Sequence, residues 1–422
     1  MINKKLSTES YKGVRDFYPE DMAIQSYIFN TWSKTAESFG FERYDASLLE
    51  PSALYKSKGA ENAEIINEQS YTFIDRGERE VTLRPEMTPT VARMVSGRKR
   101  ELKFPLRWYS IPNLFRYERP QRGRLREHWQ FNCDMFGGDN YAADVEMIAL
   151  AYQTLIDFGA KPETFEIQIN DRALMNRLYT ALGVKDSDIT DITKLNDKRN
   201  KISSETYLKE LVQIVKDETL AEEIVLMLDK SDEQTDIVIG LAELGIKNVV
   251  FNRSLARGFN YYTGTVFEIF DISGENNRSL LGGGRYDNLT GMFDHESISG
   301  VGFGMGDVTM RDFLETHKLL PSDLCVTAPT LMIIPNDSKL NLAAQKIAKV
   351  FRDRNIKVAT DIGSKKLGKK LSDAIEKKVF YAIIFGEDEV TTNKFTLKNL
   401  EQNTVETGTL DTLSTIIITN TK

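Results

Sequence analysis

The pattern of apolar and polar positions predicts a region rich in β-strands at the start of the chain. Apolar residues recur at helical spacing up to Phe39, and Gly40 stands where that helix should end. Short alternating runs then predict antiparallel strands, with Arg76, Gly77 and Glu78 in the turn of a hairpin. The predicted elements are a helix over 20–39, strands over 41–51, 71–75, 80–86, 105–118 and 128–137, and a helix over about 141–158.

The pattern changes to charged helical segments between residues 170 and 250. The stretch 204–230 has no glycine or proline and a single aromatic residue, which predicts an inserted helical subdomain. A strand pattern returns at 263–272, and beyond Pro321 apolar strands alternate with helices. The predicted organisation is a core domain in two parts, 1–169 and 251–320, an insert at 170–250, and a small α/β domain at 328–422 after a linker at 321–329.

A glycine-rich run, GFGMGD at 302–307, is the kind of sequence that can hold phosphates in a dinucleotide-binding fold. Its spacing differs from GxGxxG, and no parallel βαβ pattern surrounds it. The chain also lacks a GxxxxGK[ST] phosphate loop. We therefore predict an α+β fold with an antiparallel core sheet, in which arginine side chains bind any nucleotide phosphates.

The composition is typical of a globular protein, with 41% hydrophobic and 28% charged residues. The two cysteines, Cys133 and Cys325, lie far apart, which argues against a disulfide framework and a zinc site. The first ten residues lack the apolar core of a signal peptide, and no apolar run approaches the ~20 residues of a membrane-spanning helix. We expect a soluble, cytoplasmic protein of two to three domains without a membrane partner.

Positive charge is concentrated in one predicted strand–loop–strand unit, although the net charge is −7. Glu118 is expected on the same face of a strand as Arg116, so the guanidinium could bind a phosphate and the carboxylate could accept from an amine. A solvated surface held by salt bridges is the alternative interpretation. The unit contains Arg116, Arg119, Arg122, Arg124 and Arg126 against Glu118 and Glu127.

Four segments, in the same order, resemble the histidyl-tRNA synthetase family of class II aminoacyl-tRNA synthetases. FRYERPQRGRLREHWQFNCDMFG at 115–137 resembles motif 2, and SLARGFNYYTGTVFE at 254–268 resembles the family's LVRGLDYYTGTVFE. TLRPEMTPTVAR at 82–93 and LGGGRYDNL at 281–289 resemble TLRPEGT and GGGRYDGL. The resemblance implies a class II synthetase catalytic core, with the helical segment inserted, and makes 328–422 the anticodon-binding domain.

This resemblance implies ATP-dependent ligation of L-histidine to its tRNA through a histidyl-adenylate, with Mg²⁺ accompanying ATP and a homodimer as the assembly. Arg116 and Arg257 are then the catalytic residues. Arg116 contacts the α-phosphate and the histidine carboxylate, and Arg257 approaches from the opposite side. Glu118 binds the adenine amine and Arg124 the γ-phosphate.

The resemblance also implies a histidine pocket. Glu86, Thr88 and Gln130 surround the ammonium group, and Asp134 and Tyr262 bind the two ring nitrogens, with Tyr261 beside them. Arg116 and Arg257 complete this set. A Tyr-Tyr pair alone is more typical of core packing, so its assignment depends on the surrounding motif.

The sequence departs from the family pattern at four positions. Thr309 stands where motif 3 has an arginine, with Arg311 and Arg285 as possible substitutes. Ser47 replaces a proline of the dimer interface, and Asn260 replaces an aspartate. The fourth departure is Asp134, which stands where many members have glutamate.

A non-catalytic paralogue, such as the histidine-sensing regulatory subunit of ATP phosphoribosyltransferase, is the alternative function. Such paralogues generally lack the RGxxYYTG segment and the C-terminal domain, and this chain has sequences of both kinds. The missing motif 3 arginine is the one feature that favours the paralogue. The lysine-rich segment 364–378 fits either a solvated helix or a set of contacts to tRNA phosphates.

Overall fold

The computed structural model describes residues 6–56, 68–199, 202–230, 235–256, 261–276, 278–293, 296–322, 324 and 328–420. The chain divides into two compact units, one ending at Leu324 and the other beginning at Cys325. Each unit has a hydrophobic core of its own. Across the described ranges, no helix combines the length and the apolar character needed to cross a bilayer.

The elements are numbered here in chain order. The helices are α1 (Pro19–Ser38), α2 (Ala53–Lys56), α3 (Thr88–Arg98), α4 (Asn140–Asp157), α5 (Arg172–Ala181), α6 (Asp186–Asp197), α7 (Ser204–Val215), α8 (Glu218–Leu228), α9 (Asp236–Glu243), α10 (Asp307–Thr316), α11 (Asn341–Arg352), α12 (Leu367–Glu376), α13 (Glu387–Thr392) and α14 (Leu410–Asn420). The strands are β1 (Glu42–Arg43), β2 (Leu49–Pro51), β3 (Tyr71–Ile74), β4 (Glu80–Leu83), β5 (Leu106–Ser110), β6 (Asn113–Phe115), β7 (Glu127–Phe136), β8 (Phe165–Asp171), β9 (Val249–Phe251), β10 (Thr265–Asp271), β11 (Ser279–Arg285), β12 (Gly300–Gly306), β13 (Leu331–Pro335), β14 (Val358–Thr360), β15 (Tyr381–Phe385), β16 (Phe395–Asn399) and β17 (Val405–Gly408).

A nine-stranded sheet forms the centre of the N-terminal unit. Its strand order is β1-β5-β7-β12-β11-β10-β8-β9, and β6 pairs with β7. All its interior pairings are antiparallel, and only the edge pairs β1–β5 and β8–β9 are parallel. The glycine-rich run is therefore an antiparallel strand, and the predicted α+β fold with an antiparallel core is confirmed.

Alternation along the strands separates the two faces of this sheet. Phe131, Cys133 and Met135 of β7 point into a core that also contains residues of α1, α4 and α10. Trp32 of α1 stacks on Phe131, with ring centres 5.4 Å apart. The even-numbered residues of β7 consequently face the other side of the sheet, where the candidate site lies.

The predicted strand over 41–51 is wrong in its middle, because only 42–43 and 49–51 pair. The Asp45 carboxylate accepts from the backbone N–H of Ala46, and the Ser47 hydroxyl accepts from that of Leu49. Such local bonds compete with strand pairing. The hairpin predicted over 71–86 is confirmed, since β3 and β4 pair antiparallel in a small sheet with β2.

The predicted strand over 105–118 is also interrupted, between β5 and β6. Pro112 lies in the break and has no N–H to donate to a neighbouring strand. Arg116 lies one residue beyond β6, so its prediction as a strand residue is wrong. Its backbone N–H still bonds to the carbonyl of Arg126 at 2.9 Å, which keeps it beside β7.

The helices between β8 and β9 share a second hydrophobic core, built mainly from α5, α6, α7 and α8. Asn196 lies within it and ties three helices together. Its side-chain amide donates to the Tyr179 hydroxyl at 3.0 Å, and its carbonyl accepts from the Tyr207 hydroxyl at 2.6 Å. These helices occupy the stretch predicted as an insert.

The C-terminal unit has a five-stranded sheet in the order β14-β13-β15-β16-β17. The first three strands are parallel and the last two pairings are antiparallel. Residues of α11 and α14 contribute to the core on one face, including Ala344, Phe351, Leu413 and Ile417. The predicted β–α–β alternation accounts for the part up to β15, whereas β16, β17 and α14 were not foreseen.

Candidate active site

A cavity of about 840 Å³ opens on the face of the central sheet opposite the α1 and α4 core. Residues of five strands line it, and so do residues of the loop between β6 and β7. Residues of the helical segment, including Asn196, form part of the wall. The lining includes Arg116, Glu118, Arg124, His128, Gln130, Gln168, Glu268, Phe270, Arg278 and Thr309.

Glycines form the part of this sheet face that lies under the site. Gly302 and Gly304 of β12 lie opposite Asp134 and Asn132 in the pairing with β7. A Cβ at Gly304 would lie 2.6 Å from the Gln130 side-chain carbon Cδ, and one at Gly302 would lie 2.4 Å from an Asp134 carboxylate oxygen. The glycine-rich run therefore gives the polar side chains of β7 room to lie across the sheet.

Three of the predicted nucleotide-binding residues converge in the large cavity. Arg116 is half-buried, and its Nε donates to the carbonyl of Pro85 at 2.8 Å. Arg124 and Glu118 form an ion pair of 2.5 Å, although the N–H bond is not aligned as in a hydrogen bond. Two guanidinium groups thus border the cavity, which suits an anionic ligand.

The other three arginines of the arginine-rich strand–loop–strand segment do not line the large cavity. Arg126 is buried, with its guanidinium 3.9 Å from the centre of the Tyr117 ring and its side chain bonded to the carbonyl of Glu118. Its backbone N–H also donates to the carbonyl of Gly13, so it fixes the N-terminal segment. Arg119 and Arg122 are exposed. The solvated interpretation therefore holds for two of the five arginines.

His128 also lines the cavity and was not singled out from the sequence. Burial lowers its pKa to about 3, and the nearby charges of Arg116, Arg15 and Arg124 act in the same direction. The imidazole is therefore neutral at physiological pH. It adds a flat surface without charge next to the arginines of the wall.

A second, much smaller cavity of about 30 Å³ adjoins the first. The two share Arg116, Gln130 and two glycines. Its volume is close to that of a single water molecule, so side chains must move before it can accept an imidazole. Most of the predicted histidine-binding residues line it: Glu86, Thr88, Arg116, Gln130, Tyr261 and Tyr262.

Two tyrosines shape this small cavity. The Tyr261 hydroxyl donates to the Glu86 carboxylate at 3.4 Å, and the Tyr261 and Tyr262 rings have centres 4.8 Å apart. Tyr286 also lines the cavity and packs edge-on against Tyr261. Tyr286 belongs to the LGGGRYDNL segment, but the sequence alone gave no reason to place it in the site.

Asp134 lies behind the wall of the small cavity and is 2% exposed. Its Oδ1 accepts a hydrogen bond from the Tyr286 hydroxyl. The Tyr44 hydroxyl is close enough to lower the pKa of Asp134, but no aligned hydrogen bond reaches Oδ2. Burial outweighs these hydroxyl groups and raises the pKa of Asp134 to about 7. Oδ2 is therefore an acceptor that a ligand N–H could satisfy.

Neither substitute considered for the missing motif 3 arginine lines the large cavity. Arg285 is buried in an ion pair with Asp144 and borders a different cavity of about 500 Å³. Arg311 pairs with Asp21 and Glu315. Thr309 itself does line the large cavity, and Arg278, which the sequence did not single out, lies beside it.

Arg257 and Asn260 lie outside the described residues, so the predicted role of Arg257 stays a prediction. Ser47, at the predicted dimer-interface position, is described and exposed. Within the described ranges, no group of three or more His, Cys, Asp or Glu side chains could hold a metal ion. Cys133 is free and buried in the core on the other face of the sheet.

The lysine-rich segment of the C-terminal unit contains helix α12. Lys365 and Lys369 both pair with Asp373, and Lys370 is buried next to Asp361 at 3.3 Å. Lys366 is exposed and precedes the helix. Much of the positive charge of this segment is consequently balanced by carboxylates of the C-terminal unit.

Comparison with known proteins identifies both units. A histidyl-tRNA synthetase family model matches residues 13–307, and an anticodon-binding domain model matches residues 330–420. The chain is 42% identical over 421 residues to a histidine–tRNA ligase of Leptospira biflexa, covering 95% of each protein. It is 38% identical over 431 residues to one of Thermoplasma volcanium, covering 97% of this chain and 98% of the relative.

The fold of the chain also matches that of solved histidyl-tRNA synthetase structures. The crystal structure of histidyl-tRNA synthetase from Nostoc sp. PCC 7120 superposes with a TM-score of 0.77 over 99% of this chain and all of that one, at 22% sequence identity. The family match, the identity of the relatives and the shared fold agree over nearly the whole length. The chain belongs to the histidyl-tRNA synthetase family.

Proposed function

We propose that this protein activates histidine with ATP and transfers it to tRNA. A histidine carboxylate oxygen forms a bond to the α-phosphorus of ATP, the bond to the bridging oxygen breaks, and pyrophosphate leaves with that electron pair. A ribose hydroxyl of the tRNA then attacks the acyl carbon of histidyl-adenylate, and AMP leaves. One observation supports this most directly: the cationic cavity and the small tyrosine-lined cavity meet at Arg116.

Arg116 is proposed as a catalytic residue because a group at the junction can touch both reactants. Its guanidinium would neutralise the histidine carboxylate and the α-phosphate oxygens, where negative charge builds up during displacement. Arg257 is proposed as the second catalytic residue on the strength of the family resemblance. Arg124 and Glu118 complete the nucleotide site, with Arg124 at the γ-phosphate and Glu118 at the adenine amine.

The small cavity is proposed to select histidine. The carboxylate of Glu86, with Thr88 and Gln130, would accept the three donors of the ammonium group. Asp134 would accept from one ring nitrogen through Oδ2, and Tyr262 would bind the other, with Tyr261 beside it. A smaller or apolar side chain would leave Oδ2 of Asp134 without a partner, and such a loss can reject a competitor by ~10⁴–10⁵.

Mg²⁺ is proposed to arrive with ATP rather than in a site formed by the protein alone. Mg²⁺ commonly keeps several waters and binds through substrate phosphates and one or two carboxylates. The large cavity fits this mode, since Glu268 projects from β10 into the same cavity as the arginines. The ion would supply positive charge to the phosphates, while Arg116 and Arg124 orient them.

Histidine-dependent exchange of pyrophosphate into ATP tests the activation step. Purified protein with histidine, ATP and Mg²⁺ should exchange, and omission of histidine should abolish the exchange. A well-folded protein without exchange would instead favour the histidine-sensing paralogue. Arg257→Ala should lower the exchange rate by orders of magnitude, with little change in melting temperature. A near-wild-type rate would remove Arg257 from the mechanism.

The assembly and location are proposed from family membership. The protein is proposed to act as a homodimer in the cytoplasm and to bind tRNA through residues 330–420, which match an anticodon-binding domain. Light scattering of the protein as it elutes from a size-exclusion column should give twice the 48.0 kDa mass of one chain. A monomer that is fully active would contradict the dimer proposal.

A further inference from the structure

Arg278 lies one residue before β11 and borders two neighbouring cavities. One is the 840 Å³ cavity, and the other is a cavity of about 420 Å³. Gly123, Leu280 and Thr309 also line both. Arg278 therefore borders the large cavity where it adjoins the 420 Å³ cavity, whereas Arg116 borders it where it adjoins the small tyrosine-lined cavity.

The charge of Arg278 has no counterion in the described structure. Its guanidinium makes no hydrogen bond or ion pair with any residue in the described ranges, whereas Arg124 is paired with Glu118. Burial lowers the pKa of Arg278, the charge of Arg124 lowers it further, and Glu118 opposes both. The side chain remains a cation at neutral pH. A half-buried cation next to a second one favours an anion between them.

Two small residues give the Arg278 side chain its space. A Cβ at Gly123 would lie 2.8 Å from the Arg278 Cδ and 3.4 Å from the Thr309 methyl carbon. Both side chains therefore approach the same point of the loop between β6 and β7. The Thr309 hydroxyl donates to backbone carbonyls of Gly306 at 3.2 Å and Leu280 at 3.4 Å. Thr309 is thus an uncharged part of the cavity wall whose hydroxyl is engaged with the backbone, and Arg278 is the cation beside it.

We propose that Arg278, together with Arg124, binds the β- and γ-phosphates of ATP and supplies the cation that position 309 lacks. This inference depends on the proposed ATP site in the large cavity. Arg116 marks the end of that site where the α-phosphate meets histidine. The β- and γ-phosphates must extend away from Arg116. Arg278, where the large cavity adjoins the 420 Å³ one, is a cation with no ion-pair partner in the described ranges.

Binding of ATP and AMP to Arg278→Ala, measured by calorimetry, separates this role from a general structural one. AMP lacks the β- and γ-phosphates, so its affinity should stay within about twofold of wild type. Loss of a charge-assisted contact to phosphate should weaken ATP binding by about 10- to 100-fold. In pyrophosphate exchange, the KM values for ATP and pyrophosphate should rise, while the KM for histidine changes little.

Arg122→Ala is the matched control, because Arg122 is exposed and borders only the 420 Å³ cavity. It should leave ATP binding within about threefold of wild type. Adding Thr309→Arg to Arg278→Ala should restore at least part of the lost ATP affinity, since both side chains approach the same point. Arg278→Gln, which keeps a polar side chain without the charge, should behave like Arg278→Ala if both variants melt at the wild-type temperature.

Two results would overturn this inference. One is unchanged ATP affinity in Arg278→Ala, and the other is an equal loss of ATP and AMP affinity, which would indicate a structural role. The failure of the proposed function has a different signature: wild-type protein would show no histidine-dependent exchange, and Arg116→Ala would bind ATP as well as wild type does.

Discussion

The two adjoining cavities differ in nearly every physical property. The proposed nucleotide side has a volume of about 840 Å³ and is bordered by three arginines. The proposed histidine side has a volume of about 30 Å³ and is lined by tyrosines and the buried carboxyl group of Glu86. A flexible polyanion needs mobile cations at its phosphates, whereas a small ring must be recognised by fixed donors and acceptors. If the proposed assignment holds, we expect affinity to come mainly from the nucleotide side and selectivity from the histidine side.

Arg116→Ala should have the largest effect, because Arg116 belongs to both cavities. Loss of a preorganised cation at the displaced phosphate should reduce the exchange rate by about 10²–10³. Arg119→Ala is the control, since Arg119 is an exposed arginine of the same loop. If Arg116→Ala exchanged at the rate of Arg119→Ala, the two cavities would have no shared catalytic group.

Asp134→Asn should change the KM for histidine and leave the KM for ATP nearly unchanged. The amide oxygen can still accept one bond, but histidine loses a charged acceptor, so the KM for histidine should rise by about 10- to 100-fold. The KM for ATP should stay within about twofold, because Asp134 does not line the large cavity. Steady-state exchange kinetics measure both constants. An equal rise in both KM values would contradict the division of tasks.

The buried Asp134 should also make the stability of the protein depend on pH, and Asp134→Asn tests this. The pKa of Asp134 rises from 3.8 to about 7 on folding, so the folded protein holds a proton that the unfolded chain releases between these values. The free energy of unfolding should therefore fall as pH rises from about 4 to 7. Asp134→Asn removes this loss, and its advantage in melting temperature should grow over that range and then level off. A constant difference between pH 5 and 8 would show that Asp134 does not titrate there.

Gly304→Ala should have a smaller effect, mainly on histidine, because it displaces Gln130, which we propose to bind the ammonium group. The added methyl group would lie 2.6 Å from the Gln130 Cδ and must displace that side chain. We expect a rise of roughly tenfold in the KM for histidine, as for one weakened hydrogen bond. Gly306→Ala is the control on the same strand, since its nearest neighbour would be the Thr309 hydroxyl oxygen at 3.4 Å. Equal effects of the two variants would refute the crowding argument.

Thr309→Ala should have the smallest effect. Among the described residues the hydroxyl bonds only to the backbone carbonyls of Gly306 and Leu280, so its loss should change kcat/KM for ATP by less than about threefold. A loss comparable to that of Arg278→Ala would mean that Thr309 itself contacts the nucleotide.

The sequence predicted the fold well where its periodicity is strong. The helix ending before Gly40, the hairpin at 71–86 and the antiparallel strands around 128–137 are all present. It failed at 41–51 and near Pro112, where side-chain bonds to the backbone and a missing N–H interrupt strands that otherwise alternate correctly. Such competition depends on single atoms and leaves the apolar pattern unchanged.

The candidate site was predictable only where motifs marked it. Arg116, Glu118 and Arg124 meet in one cavity, and Glu86 and Tyr261 meet in another, as their motifs implied. Arg278 lies in an ordinary NNRS stretch and becomes notable only because the sheet brings it beside Thr309. Local sequence cannot reveal a juxtaposition that depends on strand order.

The pairing of β7 with β12 has a consequence for synthesis on the ribosome. Gln130 pairs with Gly306, so the floor of the site needs two strands separated by about 170 residues of chain. The helices between β8 and β9 share their own core and can pack before β12 has left the exit tunnel. During that interval β7 has an unpaired edge, so we expect nascent chains that pause before residue 300 to be especially prone to aggregation.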